Sequence, residues 1–355
     1  MDKFILEQGK FGSVWLALTY NCNNRCKWCY ASSNLDAFRG REFDTSKETE
    51  LYKLLSDLGI RDVKLVGGES TLYPNIIPLV GNLSSLGMNI TLVTNGRRFS
   101  DFEFTKRLTE AGLKDACFSI EGYDEKSHDH ETCVKGSFGE AIQGLKNFKE
   151  LGGRIATNTT ITTENRGYLE KIVDFLSTKT SIITFNICEP ILRAHTNSSN
   201  VFSPRSVLSP REGIAEFERI YRYAKQKDIS IKLTTPLPIC NFSEDIREPM
   251  HKEGAIGGIC SIISGQNFVI DYNGDILPCT LFSGFPLFNV FKDGKIINAE
   301  EFLSLYNSLD GGQKLRERIR HFPSRKCSEG CDLFCSGGCP IFWARYSPEE
   351  QINGL

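Results

Sequence analysis

Cys22, Cys26 and Cys29 stand in the run Thr19-Tyr-Asn-Cys-Asn-Asn-Arg-Cys-Lys-Trp-Cys-Tyr30, a C-x3-C-x2-C spacing directly after the apolar stretch Ser13–Thr19. Three thiolates on one tight loop can hold three irons of a cubane cluster and leave the fourth iron without a protein ligand. An iron with an open position can bind and reduce a small molecule. A zinc site is the other chemistry that such a loop offers.

Further short runs stand where strands are expected to end. They are Val66-Gly-Gly-Glu-Ser70, Leu92-Val-Thr-Asn-Gly96, Phe118-Ser-Ile-Glu-Gly122 and Thr157-Asn-Thr-Thr-Ile161. A second group of cysteines lies late in the chain. Cys260, Gly274 and Cys279 form C-x13-G-x4-C, and Cys327, Cys331, Cys335 and Cys339 follow within Cys-Ser-Glu-Gly-Cys-Asp-Leu-Phe-Cys-Ser-Gly-Gly-Cys. The chain holds 13 cysteines in 355 residues, an odd number, and no secretion signal precedes them. That argues against a disulfide framework and for thiolate metal ligands in a reducing compartment. His128, His130, His195, His251 and His321 are scattered, so mixed Cys/His sites have little support. The histidines read as surface or local hydrogen-bonding residues, with His128 alone near an active-site edge.

Together these runs resemble the radical S-adenosylmethionine (SAM) enzymes, over roughly residues 13–345. The resemblance implies that Cys22, Cys26 and Cys29 hold a [4Fe-4S] cluster whose open iron chelates the amine and carboxylate of SAM. One electron then splits SAM into methionine and a 5′-deoxyadenosyl radical, the electron coming from a donor such as flavodoxin or ferredoxin. It also implies that Trp28 lies against the adenine, although a core Trp is the plainer reading. Gly67 and Gly68 would let the backbone approach the methionyl amine, with the Glu69 carboxylate nearby. Ser119 and Asn158 become candidates for the ribose hydroxyls and the SAM carboxylate, or are polar groups satisfied in turns. Ile187 and Glu189, at the end of the sixth strand, would border adenine or substrate.

The late cysteines resemble the SPASM extension of that family, which carries auxiliary [4Fe-4S] clusters; a zinc ribbon is the alternative. Transfer of the family pattern gives an inner cluster on Cys260, Cys279 and Cys339 with Cys240 as fourth ligand. Cys327, Cys331 and Cys335 would hold an outer one with a non-cysteine fourth ligand or none, or the domain holds a single complete cluster. Here the spacing is C-x3-C-x3-C where the family has C-x2-C-x5-C, and no cysteine follows Cys339. Cys117 reads as a small buried hydrophobe. Cys133 and Cys188 are candidate hydrogen-atom donors to a substrate radical.

The elements that must position these residues alternate between strand and helix. Strand-like runs are Ser13–Thr19, Val63–Val66, Asn89–Thr94, Ala116–Ile120, Arg154–Ile161 and Ser181–Ile187. Between and after them fall helical patterns at Ser46–Leu58, Asn75–Leu86, Asp101–Ala111, Phe138–Leu151, Asn165–Ser177 and Pro210–Lys227. Alternating β and α units imply a parallel sheet with right-handed crossovers. The fold expected is α/β: a partial (β/α)6 TIM-like barrel over residues 1–235, then a small Cys-rich α+β SPASM domain over 236–355. That second domain carries a hairpin at Phe268–Leu277 turning on Asn273-Gly274. The first strand begins by residue 13, so no peptide-binding winged helix is expected before the barrel.

A net charge of −2 with mixed signs gives no support for nucleic-acid or membrane-surface partners. No apolar run approaches 18 residues, and a soluble cytoplasmic protein is expected. The resemblance favours a ribosomally made peptide as substrate, modified by crosslinking, epimerisation, oxidation or excision. Sulfatase maturases of the similar type carry Asp after the hairpin cysteine, and this chain has Thr280. A small-molecule dehydrogenase, acting for example on an aminocyclitol, is the second hypothesis. A non-catalytic iron–sulfur or zinc scaffold ranks last, because Gly67, Gly68 and Glu69 have no purpose in one.

Overall fold

The computed structural model describes residues 11–31, 40–190, 206–257, 259–308, 312–320, 323 and 335–352. Strands β1 (Ser13–Ala17), β2 (Asp62–Leu65), β3 (Asn89–Thr94), β4 (Asp115–Ser119), β5 (Arg154–Ile161), β6 (Ile182–Ile187) and β7 (Ile231–Leu233) lie side by side in chain order, all parallel. Strand β8 (Asn267–Asp271) joins the other flank, parallel to β1, and β9 (Asp275–Leu277) and β10 (Phe288–Asn289) continue from it antiparallel. The result is a ten-stranded, partial barrel-like sheet.

Alternation along the strands sets its two faces. Val14, Leu16, Val63, Leu65, Leu92, Phe118, Ile183 and Phe185 are buried in the main core. Their neighbours Trp15, Lys64, Cys117, Asn158 and Thr184 are only half-buried and point to the other face. The helices covering the buried face are α1 (Glu48–Asp57), α2 (Ile76–Ser85), α3 (Phe102–Glu110), α4 (Glu125–Thr132), α5 (Ser137–Glu150), α6 (Leu169–Ser177) and α7 (Pro210–Gln226). Helix α5 seats tightly because Gly144 lacks a side chain: a Cβ there would lie 2.3 Å from the carbonyl oxygen of Gly96. Helix α7 begins with Pro210 in its first turn, inside a capping box of Ser209 and Glu212.

Two elements depart from the sequence expectation. Strand β7 is a seventh parallel strand, pairing Ile231 with Ile183 and Leu233 with Phe185. With three residues it is too short to show a period. Helix α4 lies where a loop is expected after β4. Its sequence, Glu-Lys-Ser-His-Asp-His-Glu-Thr, has no apolar stripe, and a capping box of Asp124 and Ser127 starts it. It buries polar residues instead, namely His128, Glu131 and Thr132. His128 is therefore a core residue, 1 % exposed, whose Nδ1 accepts the Glu121 N–H at 3.1 Å.

Residues beyond 236 share the sheet and the core of those before it. Phe268 on β8 packs edge-on against Phe11 (5.1 Å between ring centres), and Phe302 of the helix Ala299–Tyr306 lies against both. The hairpin turns at Asn273-Gly274 as expected, with Gly274 at φ 83°.

Candidate active site

The loops that leave the C-terminal ends of β1 to β4 converge on one cleft, of about 640 Å³ with its open mouth included. Parallel α/β sheets place their sites at this end, where the strands stop and the loops are free to carry chemistry. Cys22, Cys26, Trp28 and Cys29 from the first loop, Gly67, Gly68 and Glu69 from the second, Asn95 from the third, and Ser119 and Glu121 from the fourth all line it.

The cysteine loop is fixed from three sides. From the β2 side, Gly68 N–H donates to Thr19 O (3.0 Å), Glu69 N–H to Asn21 O (2.7 Å), and Tyr30 Oη to Gly67 O (2.9 Å). Gly67 has φ 130°, and a Cβ on it would lie 2.3 Å from Thr19 O; one on Gly68 would lie 2.4 Å from Tyr20 O. The close approach that these two glycines permit is thus to the cysteine loop itself. From the β4 side, the last carbonyls of α4 accept the loop's amides: Arg25 N–H to Thr132 O (2.9 Å) and Lys27 N–H to Glu131 O (3.2 Å). From the β3 side, Asn95 Nδ2 reaches Asn23 Oδ1 (2.7 Å) and Cys22 Sγ (3.9 Å), and Arg97 binds Asn23 O and pairs with Glu140 (2.5 Å).

The two cleft carboxylates differ in their partners. Glu69 Oε1 accepts from Thr71 N–H (3.2 Å), Thr71 Oγ1 (2.7 Å) and Thr94 Oγ1 (2.8 Å), and Oε2 from Asn95 N–H (2.7 Å). It ties the ends of β2 and β3 together. Glu121 Oε2 accepts the Thr160 N–H at 2.9 Å, but its buried Oε1 has no partner. Burial pushes the Glu121 carboxyl well above the usual carboxylate range. Sequence reasoning singled out Ser119 and passed over Glu121, although the i, i+2 spacing puts both on one side of the same strand end.

Other candidates fall in different places. Asn158 pairs across from Ser119 and is held by Asn186 (2.6 Å) and Thr184 (3.1 Å) on the half-buried face. Ile187 is on the opposite parity. Its side chain packs in the core where a Cβ on Gly213 would touch it at 3.1 Å, so it does not border the cleft. Cys188 is buried, with its amide on Ile161 O. Cys133 is exposed, caps α4 at φ 56°, and lies in electrostatic reach of Cys26. Cys117 is half-buried, near Lys64.

Of the late cysteines, Cys327 and Cys331 lie outside the described residues. Cys260 and Cys279 share one small buried cluster, and both lie in electrostatic reach of Cys339. Cys339 N–H binds Pro236 O (2.8 Å), and Cys335 Sγ accepts from Gly337 N–H (3.2 Å) and Ile239 N–H (3.5 Å). Cys240 Sγ bonds Asn241 Oδ1 at 3.7 Å. Glu189 faces this group: its side chain bonds Cys339, and burial pushes its carboxyl up to about 7.

The residues fit an iron–sulfur cluster with an open iron. Among the described residues, the sulfurs of Cys22, Cys26 and Cys29 do not all close to within 4.8 Å. A single tetrahedral zinc–thiolate site needs sulfurs roughly 3.8 Å apart, whereas several irons between them need more. Burial pushes the Cys22 thiol up to about 12, and Cys26 well up, and a bound cation would favour their thiolate forms. Glu121 Oε1, buried without a partner, leaves an acceptor for a ligand beside them, whereas Trp28 Nε1 faces the Glu131 carboxylate. Among the described residues no helix is long and apolar enough to cross a membrane.

Comparison with known proteins agrees with this geometry. The chain is 31 % identical over 166 residues to the sporulation killing factor maturation protein SkfB of Bacillus subtilis, covering 46 % of this chain and 38 % of that protein. It is 27 % identical over 148 residues to an AdoMet-dependent heme synthase of Nitratidesulfovibrio vulgaris, covering 42 % of this chain and 40 % of the other. The match thus spans about two fifths of the length of these curated relatives. Its fold is similar to Streptococcus suis SuiB bound to precursor peptide SuiA, with a TM-score of 0.64 at 19 % identity, covering 95 % of this chain and 74 % of that one. It is also similar to anSMEcpe with bound AdoMet and the Cp18Cys peptide, with a TM-score of 0.67 at 17 % identity, covering 92 % and 88 %. Residues 16–176 match the radical SAM superfamily, and that stretch contains the cysteine loop, the paired glycines and the residues that line the cleft.

Proposed function

We propose that this enzyme cleaves SAM reductively and uses the resulting radical to modify a peptide, in the manner of a maturase of ribosomally made peptides. The observation that carries the reading is the gathering of Cys22, Cys26 and Cys29 with Gly67, Gly68 and Ser119 on one cleft. A [4Fe-4S] cluster held by the three cysteines supplies, when bound, the electron that breaks the carbon–sulfur bond of SAM. Trp28 offers a ring face to the nucleoside, and Glu121 Oε1 offers an acceptor. Glu69 positions the β2 and β3 loops rather than reaching out. Peptide as substrate is supported by the fold shared with SuiB and anSMEcpe, both solved with peptides.

Cys260, Cys279 and Cys339 are the proposed ligands of an auxiliary cluster. Cys240 stands as its cysteine fourth ligand, and Glu189 at Cys339 as a carboxylate alternative. Cys335, with Cys327 and Cys331, is kept for a second cluster. Cys188, buried just past β6, and Cys133, exposed at the end of α4, are the proposed hydrogen-atom donors.

The test is anaerobic. Reconstituted, reduced protein should convert SAM to 5′-deoxyadenosine, and the triple Cys22→Ala/Cys26→Ala/Cys29→Ala variant should not. Offered a precursor peptide encoded beside its gene, the enzyme should change the peptide's mass by a few daltons or release a fragment. Untouched peptides together with an oxidised aminocyclitol would replace the peptide reading by the small-molecule one.

A further inference from the structure

A second cluster of ligating side chains lies against the flank of the cysteine loop. His130 and Glu131 are adjacent on α4, and Glu164 lies in the loop after β5. One ligand atom from each falls within 4.8 Å of the other two, a gathering found nowhere else among the described residues. His130 Nε2 is 2.8 Å from Glu164 Oε2. Lys27, between Cys26 and Cys29, reaches into the same place, with Nζ 2.6 Å from Glu164 Oε2 and 2.7 Å from His130 Nε2.

Glu131 makes this more than an ion pair. Its residue is 0 % exposed, and neither carboxylate oxygen makes a hydrogen bond of ordinary geometry, the one side-chain donor that faces it being the Trp28 indole N–H. Lys27 gives its backbone N–H to the Glu131 carbonyl, and its ammonium bonds Glu164 and His130 instead. A buried carboxylate served by a single neutral donor is costly to ionise. What the arrangement lacks is a cation that both Glu131 and Glu164 can touch.

We propose that His130, Glu131 and Glu164 form a divalent transition-metal site, in which the ion and the Lys27 ammonium compete for one position. One imidazole nitrogen and two carboxylates suit Mn²⁺, Fe²⁺ or Zn²⁺ and supply too few oxygens for Ca²⁺. Ligands at about 2.0–2.2 Å from a common ion lie roughly 3–4 Å from one another, against up to 4.8 Å here, so the three side chains must close on the ion as it binds. Water completes the coordination on the open side, since the His130 side chain is 58 % exposed and that of Glu164 33 %. Because Lys27 belongs to the cysteine loop, an ion here releases that loop's one tether to Glu164. The same ion ties α4 to the loop after β5. The site therefore sets how firmly the cysteine loop is held.

The test uses cluster-loaded protein kept anaerobic and titrated with Mn²⁺, free Mn²⁺ being followed by its electron paramagnetic resonance signal. Wild-type protein should take up one Mn²⁺ per chain. Lys27→Met should tighten binding at least tenfold, and Glu131→Gln and His130→Ala should each weaken it at least tenfold. The visible absorbance of the iron–sulfur clusters should stay unchanged in His130→Ala, whose exposed side chain is removed without disturbing the core. Failure of both wild type and Lys27→Met to bind Mn²⁺ at millimolar concentration would overturn the proposal. So would Mn²⁺ binding that His130→Ala leaves unaltered.

Discussion

Glu69 and Glu121 show how the same side chain serves two purposes in one cleft. Glu69 accepts four hydrogen bonds from its own loops, and removing it orphans buried donors on Thr71, Thr94 and Asn95. Each orphaned group costs about 1–3 kcal/mol. Glu69→Ala should therefore lower the thermal midpoint by many degrees as well as weaken SAM binding, whereas Glu69→Gln, which keeps an acceptor, should do less; differential scanning calorimetry separates them. Glu121 has an oxygen to spare. Glu121→Ala should weaken SAM affinity on the order of tenfold in equilibrium binding, the worth of one good hydrogen bond to a buried group, while the clusters still assemble.

At the scale of elements, the cysteine loop takes its shape from the turns around it. Gly68→Ala would drive a methyl group to 2.4 Å from Tyr20 O, and no side-chain rotation relieves a clash with backbone. Iron content at the first site should fall by four per chain in that variant, as measured by colorimetric iron assay, although Gly68 is no ligand. Strand β8 carries a different signal at its end. Asp271 is 3 % exposed, and burial pushes its carboxyl up to about 7. An unfolded Asp titrates near 4, so the folded protein holds a proton that the unfolded chain releases over this interval. Stability is then fully present below about pH 4 and is lost as pH rises toward about 7. Asp271→Asn should flatten that loss, on the order of a few kcal/mol, in denaturant titrations at successive pH values.

On the scale of the whole molecule, the segment after residue 236 completes the sheet that it follows. Strand β8 pairs along the full length of β1, and Val269 and Leu277 pack with Ala17 and Val66 under the cleft. Removing residues 236–355 should thus leave β1 as an open edge with uncovered apolar surface, and the truncated chain should aggregate or fail to assemble the first cluster, as gel filtration and iron content would report. Much of this architecture was legible beforehand. The alternation of apolar runs with amphipathic ones marked six parallel strands, and cysteine spacing with paired glycines marked the cleft, because period and tight turns are local properties of the chain. Helix α4 was not legible, since its buried face is His128, Glu131 and Thr132 and its partners lie a hundred residues away in the cysteine loop. The core-facing side of Ile187 was not legible either, since strand parity is fixed only by pairing with neighbours. Spacing by itself placed the first three cysteines and the paired glycines at the ends of parallel strands, on one cleft. Tertiary structure alone decided that Glu69 is a staple, that Glu121 is free to bind, and that Glu131 lies buried beside His130 and Glu164, because whether a polar atom has a partner depends on what distant segments bring within 3 Å of it.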